Sequence, residues 1–376
     1  MATERKTLYS QIAEDIKLQI LNGDLVPGDQ LPTEFELAER YDVSRITSQR
    51  ALVELEREGL IYRRQGKGSF VLSRGNTNDQ GISHKVISMI LPSDGPAGRR
   101  IDYINGATDY LSDNGYYLTI HTTDNDLDQE RNALINLPND GISGIIFYPT
   151  SRKNFDILYA MYLSKYPIVT IDKHFQSLPI CSVVSNNFDG GYRATSHLIE
   201  LGHRRIAYLS NLNIEEISTV RERFFGYCTA LKKHDIAIDH NIINFALTYD
   251  GEKFAYKTID MLKRMFNRGV TAIFAEHDYL AIAIYKTLQN EGIRIPEDIS
   301  LIGFDNVEIL EHVDIPLTSV DQNFYEIGRE AASMIVEMIQ NGYCEVPQKV
   351  IPVNMVFRNS VSEIKPREVC KVFREK

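Results

Sequence analysis

Two groups of residues in this 376-residue chain have types and spacing suited to chemistry. The first is basic. Between Val43 and Arg74 stand Arg45, Arg50, Arg57, Arg63, Arg64, Lys67 and Arg74, against only the acids Glu54, Glu56 and Glu58. No acid lies from Val43 to Ala51. A helix opening on Ser44, Arg45 and Thr47 can offer side chains and backbone amides to phosphates and base edges. The second group sits at the ends of apolar runs. Asp172 closes PIVTID, Asp305 closes ISLIGFD, Tyr148 closes GIIFY, and Arg223 lies at the start of a helical stretch, RERFFGY. Asp and Arg make paired hydrogen bonds to vicinal hydroxyls, and an aromatic face suits the C–H surface of a sugar. Open α/β sheets collect such groups in a crevice at their strand ends.

The elements that must carry the basic group are legible. Ile12, Ile16 and Ile20 lie on one helical face of Leu8–Asn22, and Gly23 is placed to end it. Thr33 with Glu36 three residues later is a capping box for a short helix to about Tyr41. Asp42 and Val43 make a tight connection. Ser44 then caps a helix from Arg45 to Glu58, which Gly59 stops. LIYRRQGKGSFVL gives two strands around the glycine-rich tip Gln65-Gly66-Lys67-Gly68. Helix, helix-turn-helix and hairpin in this order make a winged helix. Its second helix would enter a major groove, and the basic tip is slim enough for a neighbouring minor groove.

The polar stretch Ser73 to His84 reads as a boundary. Beyond it, apolar runs starting at Val86, Tyr116, Gly144, Pro167, Arg205, Thr271 and Ile299 alternate with helical stretches at Ile101–Asn114, Gly190–Leu201, Glu252–Arg268 and Tyr279–Asn290. Repeated βα alternation predicts parallel sheets covered by helices, and the length favours two lobes. A single (β/α)₈ barrel shares the pattern and stays open at this point. The expected organisation is a DNA-binding domain over 1–72, a linker over 73–84, a two-lobed effector and dimerisation domain over 85–362, and a tail over 363–376.

Charge narrows the function. The chain holds 41 Lys+Arg and 51 Asp+Glu, a formal −10, which excludes binding nucleic acid or an anionic membrane through bulk charge. The acidity is local: residues 1–75 hold 11 bases and 12 acids, residues 76–376 hold 30 and 39. Cys181, Cys228, Cys344 and Cys370 lack CxxC spacing, which disfavours a zinc site or a disulfide framework and fits a reducing compartment. The charged N-terminus and the lack of a long apolar run predict a soluble, cytoplasmic protein without membrane association. DNDLDQE at Asp124 lacks the glycine and glutamate of a calcium loop. His197 and His203 have no supporting ligands, and GKGSF is not a phosphate loop. No nucleophile–base arrangement stands out, so no enzyme activity, metal or cofactor is expected.

At the level of whole motifs, PGDQLPTEFELAERYDVSRITSQRAL followed by EGLIYRRQGKGSFV resembles the winged-helix domain of GntR-type transcription regulators over nearly all of residues 7–72. The resemblance implies contacts to double-stranded operator DNA from Glu34, Ser44, Arg45, Thr47 and the tip residues Gln65, Gly66 and Lys67. Gln49 stands where the family usually has a base, with Arg50 following. That implies an altered base preference, since Gln favours adenine and Arg guanine. Separately, NGATDYLSDNGYYLTIHTT, ATSHLIELGHRRIAYL, RERFFGYCTAL, TAIFAEHDYLAIAIYKTL, IRIPEDISLIGFDN and IPLTSVDQN are similar, in order and over about residues 85–360, to LacI/GalR-type effector domains, which resemble periplasmic sugar-binding proteins. Arabinose-repressor-like regulators of Gram-positive bacteria share this composite build.

The composite implies an effector-responsive repressor of carbohydrate-utilisation genes. A carbohydrate effector closing the cleft would shift the spacing of two DNA-binding heads in a homodimer on a near-palindromic operator. By family position Arg223 and Asp305 would grip hydroxyls, with His277, Asp172 and Gln322 also lining the cleft beside Tyr148. His277 replaces a common Asn and would admit pH dependence. Arg99 and Arg100 replace an aromatic pair and would suit a carboxylate or phosphate on the effector. The helix Ile101–Asn114 would contribute to the dimer surface. The reading from another class is a cytoplasmic sugar-binding or sugar-metabolising protein whose N-terminal module docks a protein. Sequence-specific, salt-sensitive retardation of DNA separates the two.

Overall fold

Chain packing separates Met1–Ser83 from His84–Lys376. The computed structural model describes residues 8–22, 24–26, 28–57, 60–64, 68–71, 85–92, 99–151, 153–175, 177–215, 217–245, 247–248, 256–311, 316–342, 344 and 347–364.

In the first unit, α1 (Leu8–Asn22) buries Ile12, Ala13 and Ile16 in a core shared with α3 (Arg45–Arg57). α2 (Glu34–Arg40) starts at the expected capping box: the Glu36 amide donates to Thr33 Oγ1 at 3.3 Å and the Thr33 amide to Glu36 Oε2 at 2.7 Å. Each such cap contributes about 1 kcal/mol, enough to fix where a seven-residue helix begins. Asp42 reverses the chain with φ at +51°, in the left-handed region that short polar side chains tolerate. Ser44 Oγ then accepts the Thr47 amide at 3.2 Å and opens α3. β1 (Ile61–Arg64) and β2 (Gly68–Val71) pair antiparallel from Ile61↔Val71 to Arg64↔Gly68, closing the core with Ile61 and Val71. Gly23, Glu58, Gly59 and the tip residues Gln65, Gly66 and Lys67 lie outside the described residues.

The second unit alternates strands and helices. First come β3 (Val86–Leu91), α4 (Arg100–Asp113), β4 (Tyr117–Thr122), α5 (Leu127–Asn139), β5 (Gly144–Phe147), α6 (Phe155–Leu163), β6 (Ile168–Ile171) and β7 (Cys181–Ser185). There follow α7 (Asn187–Glu200), β8 (Ile206–Leu209), α8 (Ser218–Lys233), β9 (Ile243–Asn244), α9 (Tyr256–Asn267), β10 (Ala272–Ala275), α10 (Asp278–Asn290) and β11 (Ser300–Ile302). Last are β12 (Ser319–Asp321), α11 (Phe324–Asn341), β13 (Gln348–Ile351) and β14 (Asn354–Val356).

Two open parallel sheets result, ordered β13-β7-β6-β5-β3-β4 and β11-β10-β8-β9. An open pair of sheets decides against the single barrel. Their inner strands are apolar on both faces because helices cover both. In the first lobe Ile87, Met89 and Leu91 pack with α4 and α11, while Ile90 packs with α5 and α6. In the second, α7 and α8 cover one face and α9 and α10 the other.

Among the described residues the chain crosses between lobes three times: from β7 into α7, from β12 into α11, and from β13 into β14, which pairs with β12. Hydrogen bonds tie the crossings together: Ser185 Oγ donates to Gln322 O at 3.2 Å and the Asn186 amide to Ile351 O at 2.8 Å. Next to residue 362, where the effector domain is expected to end, the Ile364 amide donates to Leu201 O at 3.0 Å. No helix among the described residues is long and apolar enough to cross a membrane.

Candidate functional site

A cavity of about 410 Å³ opens between the two lobes, within the range of small-ligand pockets. From the first lobe come Tyr148 at the end of β5 and Asp172 and Lys173 at the end of β6. From the second come Arg223 on α8, Glu276 and His277 between β10 and α10, and Asp305 after β11. Gln322 lies on the β12-to-α11 crossing. Six of the eight residues proposed from sequence for the effector therefore converge on one space.

Local backbone geometry aims the two aspartates. Asp172 has φ +68° and Asp305 φ +105°, conformations that an L-residue adopts at a cost of about 1–3 kcal/mol each. Each is held there by a ladder bond from its own amide, Asp172 to Val183 O at 3.0 Å and Asp305 to Val320 O at 2.8 Å. Strain kept in this way turns a strand-end carboxyl out of the sheet and into the crevice.

Arg223 is the hub. Its Nε donates to Asn187 Oδ1 at 2.8 Å, Nη1 to the Glu276 carbonyl at 2.6 Å, and Nη2 meets Asp305 Oδ1 at 3.2 Å. Its guanidinium lies 3.7 Å from the Phe304 ring centre. The helix crossing beneath it explains this placement. α7 carries Gly191 against the Arg223 carbonyl, where an added Cβ would sit 2.2 Å from that oxygen, so α8 can approach closely enough for Arg223 to reach Asn187. Gln322 Nε2 donates to Asp305 Oδ1 at 2.5 Å, and Lys173 Nζ pairs with Asp172 at 2.9 Å while lying 3.9 Å from the Tyr148 ring centre.

Burial dominates the acid–base state. It pushes Glu276 up to about 8 and Asp305 up to about 7, with Arg223 partly opposing both. A carboxyl whose folded pKa is raised favours the native state at low pH and loses that favour as pH rises through its folded value. Unfolding by urea at about pH 6.5 and about pH 8, above the range in which the depressed His277 adds an opposing trend, should therefore show stability of this unit falling with pH. The slope is up to about 1.4 kcal/mol per pH unit per group. A flat or rising profile would contradict the burial of these two carboxyls.

His277 departs from expectation. Burial, then Arg223, pulls it down to about 3. Its Nδ1 accepts the Leu280 amide at 3.0 Å as the cap of α10, so the proton sits on Nε2 and is directed at Asn211 Oδ1, 2.9 Å away. The ring is a fixed neutral donor, and the pH dependence offered by its residue type is removed by burial.

Arg99 and Arg100 also fall elsewhere. They line a separate pocket with Ile101, Ile104, Tyr279, Glu308 and Ile309. Arg99 Nε pairs with Asp102 at 2.6 Å, and Arg100 Nη1 donates to the Pro92 carbonyl at 2.8 Å. Local helix-start pairing thus uses the charges that sequence assigned to an anionic ligand. Two groups went unnoticed in the sequence, Glu276 and Lys173. Each is the chain neighbour of a residue already marked, His277 and Asp172, and adjacency to a strand end was the available signal. The expected decoys are structural: Asp126 caps α5 by accepting the Asp128 and Gln129 amides, and His203 is satisfied by Thr271 Oγ1 at 2.9 Å and Ser362 O at 3.0 Å.

In the first unit, the outer face of α3 presents Ile46, Gln49, Arg50 and Val53 at i, i+3, i+4 and i+7, all exposed. Arg50 lies 4.5 Å from the Tyr9 ring centre. Ser44 Oγ and Thr47 Oγ1 are 2.8 Å apart at the helix start. Glu34 meets Arg45 Nε at 3.1 Å and Arg63 Nη2 at 3.6 Å, and the Arg45 guanidinium is 4.3 Å from the Phe35 ring centre. Glu34 therefore orients two cations from helix and wing. Ile46, 76% exposed, has no partner type in a core and carries an apolar surface suited to a thymine methyl. A search for bases alone passes over it.

Comparisons with known proteins agree with both halves. Residues 8–71 match bacterial regulatory proteins of the gntR family, and residues 195–361 match the periplasmic binding protein-like domain. The chain is 30% identical to the arabinose metabolism transcriptional repressor of Geobacillus stearothermophilus, over 96% of this chain and 100% of that protein. It is 30% identical to the ribose operon repressor of Haemophilus influenzae, over 69% of this chain and 76% of that one. A LacI family transcriptional regulator from Enterococcus faecium, solved with bound ribose, shares the fold with a TM-score of 0.62 at 24% identity, covering 74% of this chain and 100% of that one.

Proposed function

Since the chain belongs to the gntR-type transcription regulators that carry a periplasmic-binding-protein-like domain, the family of the arabinose metabolism repressors, we propose that it represses carbohydrate-utilisation genes and that a carbohydrate in the interlobe cleft sets its operator affinity. The observation that carries this reading is the two-sided lining. Arg223 and Asp305 on one lobe face Asp172 and Tyr148 on the other across a space of about 410 Å³. A ligand that satisfies both walls stabilises the closed arrangement, and its differential affinity for that arrangement is what can move an equilibrium. The site is read as binding without turnover, and consumption of a sugar that it binds would overturn this. Action on DNA places the protein in the cytoplasm.

Thermal unfolding in the presence of pentoses and hexoses tests the ligand half, because a molecule that binds the native state raises the melting temperature by mass action. Mobility shift on the DNA upstream of its own gene tests the other half. Glu34, Ser44, Arg45, Thr47, Gln49 and Arg50 are proposed at that interface, together with the tip residues Gln65, Gly66 and Lys67. Gln49→Ala is expected to weaken the specific complex by about 1–3 kcal/mol and leave non-specific DNA unchanged. Equal loss on both DNAs would remove Gln49 from base readout.

A homodimer is the proposed assembly, because paired heads match a near-palindromic site. Lobe one supports it at its open edge, where β4 exposes Tyr117 and Ile120 beside α4. α4 itself spends Tyr103, Gly106, Ala107 and Leu111 on packing within its own chain, so only its outer residues remain for a second copy. Sedimentation that shows monomer alone at micromolar concentration with DNA present would exclude the dimer.

A further inference from the structure

Phe35 stands in the first turn of α2 and is 65% exposed, two residues before Leu37, which is buried in the core of the first unit. Two residues turn a helix by about 200°, so Phe35 faces away from the core that Leu37 enters. The ring meets a cation instead. The guanidinium of Arg45, the first residue of α3, lies 4.3 Å from its centre. Arg45 is held a second time by its Nε, which meets Glu34 Oε2 at 3.1 Å. A ring restrains the face of a guanidinium and a carboxylate restrains its edge. With Nε engaged, the two Nη groups are the ones left to reach a base or a phosphate. The two helix starts that carry these groups are tied together, since the buried Ser48 hydroxyl of α3 donates to the Glu34 carbonyl at 2.7 Å.

We propose that Phe35 is a positioning residue for operator recognition, stacking on Arg45 so that this side chain meets DNA in one orientation. The proposal rests on the reading of the first unit as a sequence-specific DNA-binding module and assigns a role to a residue that acts through Arg45. Arg has many rotamers, and one that is ordered before DNA arrives loses less freedom on binding. Glu34 alone is a weak restraint. Its other oxygen, Oε1, meets Arg63 Nη2 at 3.6 Å, and the Arg45 side chain is 59% exposed, where ion pairs are screened and contribute little. The ring supplies what the carboxylate does not. Its attraction for the guanidinium comes from the negative face of the π-system and strengthens as water is excluded, as it would be against DNA. An aliphatic side chain of similar bulk covers the guanidinium without attracting it.

The test is mobility shift with the full-length protein on a duplex from upstream of its own gene and on a scrambled duplex of equal length. Phe35→Ala should weaken the upstream complex by about tenfold. Phe35→Leu should lose nearly as much, whereas Phe35→Tyr, which keeps the ring, should stay within about twofold of the parent. In an Arg45→Ala background, Phe35→Ala should change the affinity by less than about twofold, because the group it acts through is gone. Phe35 lies outside the core, so the variants should melt with the parent. If Phe35→Ala does not, the comparison of Phe35→Leu with Phe35→Tyr decides the matter. Parental affinity in Phe35→Ala, or Leu serving as well as Tyr, overturns the stacking role. A loss that persists undiminished without Arg45 means that Phe35 touches DNA itself, and overturns the positioning role. A parent that retards both duplexes alike overturns the sequence-specific reading of the first unit, and this proposal with it.

Discussion

Arg223→Ala is expected to abolish measurable carbohydrate binding and to destabilise the second unit by about 3–5 kcal/mol. The two effects have one origin. Arg223 is 4% exposed, bonds Asn187, the Glu276 carbonyl and Asp305, and lies over Phe304. Removing it strands Asp305, fully buried and already held up to about 7 by burial. Without the opposing guanidinium the carboxyl should shift further toward its neutral form. Titration of unfolding would then show the pH-dependent loss of stability moving to higher pH in the variant, which a simple packing defect would not produce. Lys at this position is a poor rescue: an ammonium cannot present three planar donors toward Asn187, the carbonyl and the carboxylate together. Arg223→Lys should recover part of the stability and little of the ligand affinity. Calorimetry and urea unfolding on both variants check this. Unchanged sugar affinity in Arg223→Ala would remove Arg223 from the site.

Gly226→Val is expected to cost more than about 4 kcal/mol or to prevent the second unit from folding. An added Cβ at Gly226 would lie 2.2 Å from the Phe188 carbonyl and 2.6 Å from the Tyr192 amide nitrogen. Both obstacles are backbone of α7, so no side-chain rotation relieves them and the helices must part. Parting α7 from α8 exposes the cluster around Tyr208, Tyr227 and Leu198, and withdraws Arg223 from Asn187. Thermal unfolding is the direct check. A melting temperature within a few degrees of the parent would mean that the crossing is looser than these distances allow.

Local elements were legible where a single stretch of chain holds its own reason. The Thr33–Glu36 capping box, the Ser44 start of α3 and the pairing of Ile61–Arg64 with Gly68–Val71 each depend on residues a few positions apart. Polar residues ending apolar runs marked Tyr148, Asp172 and Asp305 for the same reason. Strands β7, β9, β12, β13 and β14 were not distinguished, being short or lying in segments whose pairing partners are far along the chain. Nor was the threefold crossing between lobes visible. Alternation of strand and helix reports layers, whereas the placement of β13 beside β7, more than 160 residues earlier, is a long-range pairing with no local trace.

The same division applies to the cleft. By itself the sequence determined which residue types stand at strand ends, a basic segment from Val43 to Arg74 in a chain whose acidity lies beyond residue 75, and a build shared with sugar-operon repressors. Side-chain chemistry and short-range spacing suffice for these. Only the tertiary structure decided how that chemistry is tuned. It removed Arg99 and Arg100 from the cavity by pairing them with Asp102 and Pro92. It fixed His277 as a neutral donor and added Glu276 and Lys173 to the wall. The physical reason is that burial and hydrogen-bond partnership are properties of position. A residue type sets what a group can donate, accept or ionise, and the surrounding fold sets which of these it is left free to do.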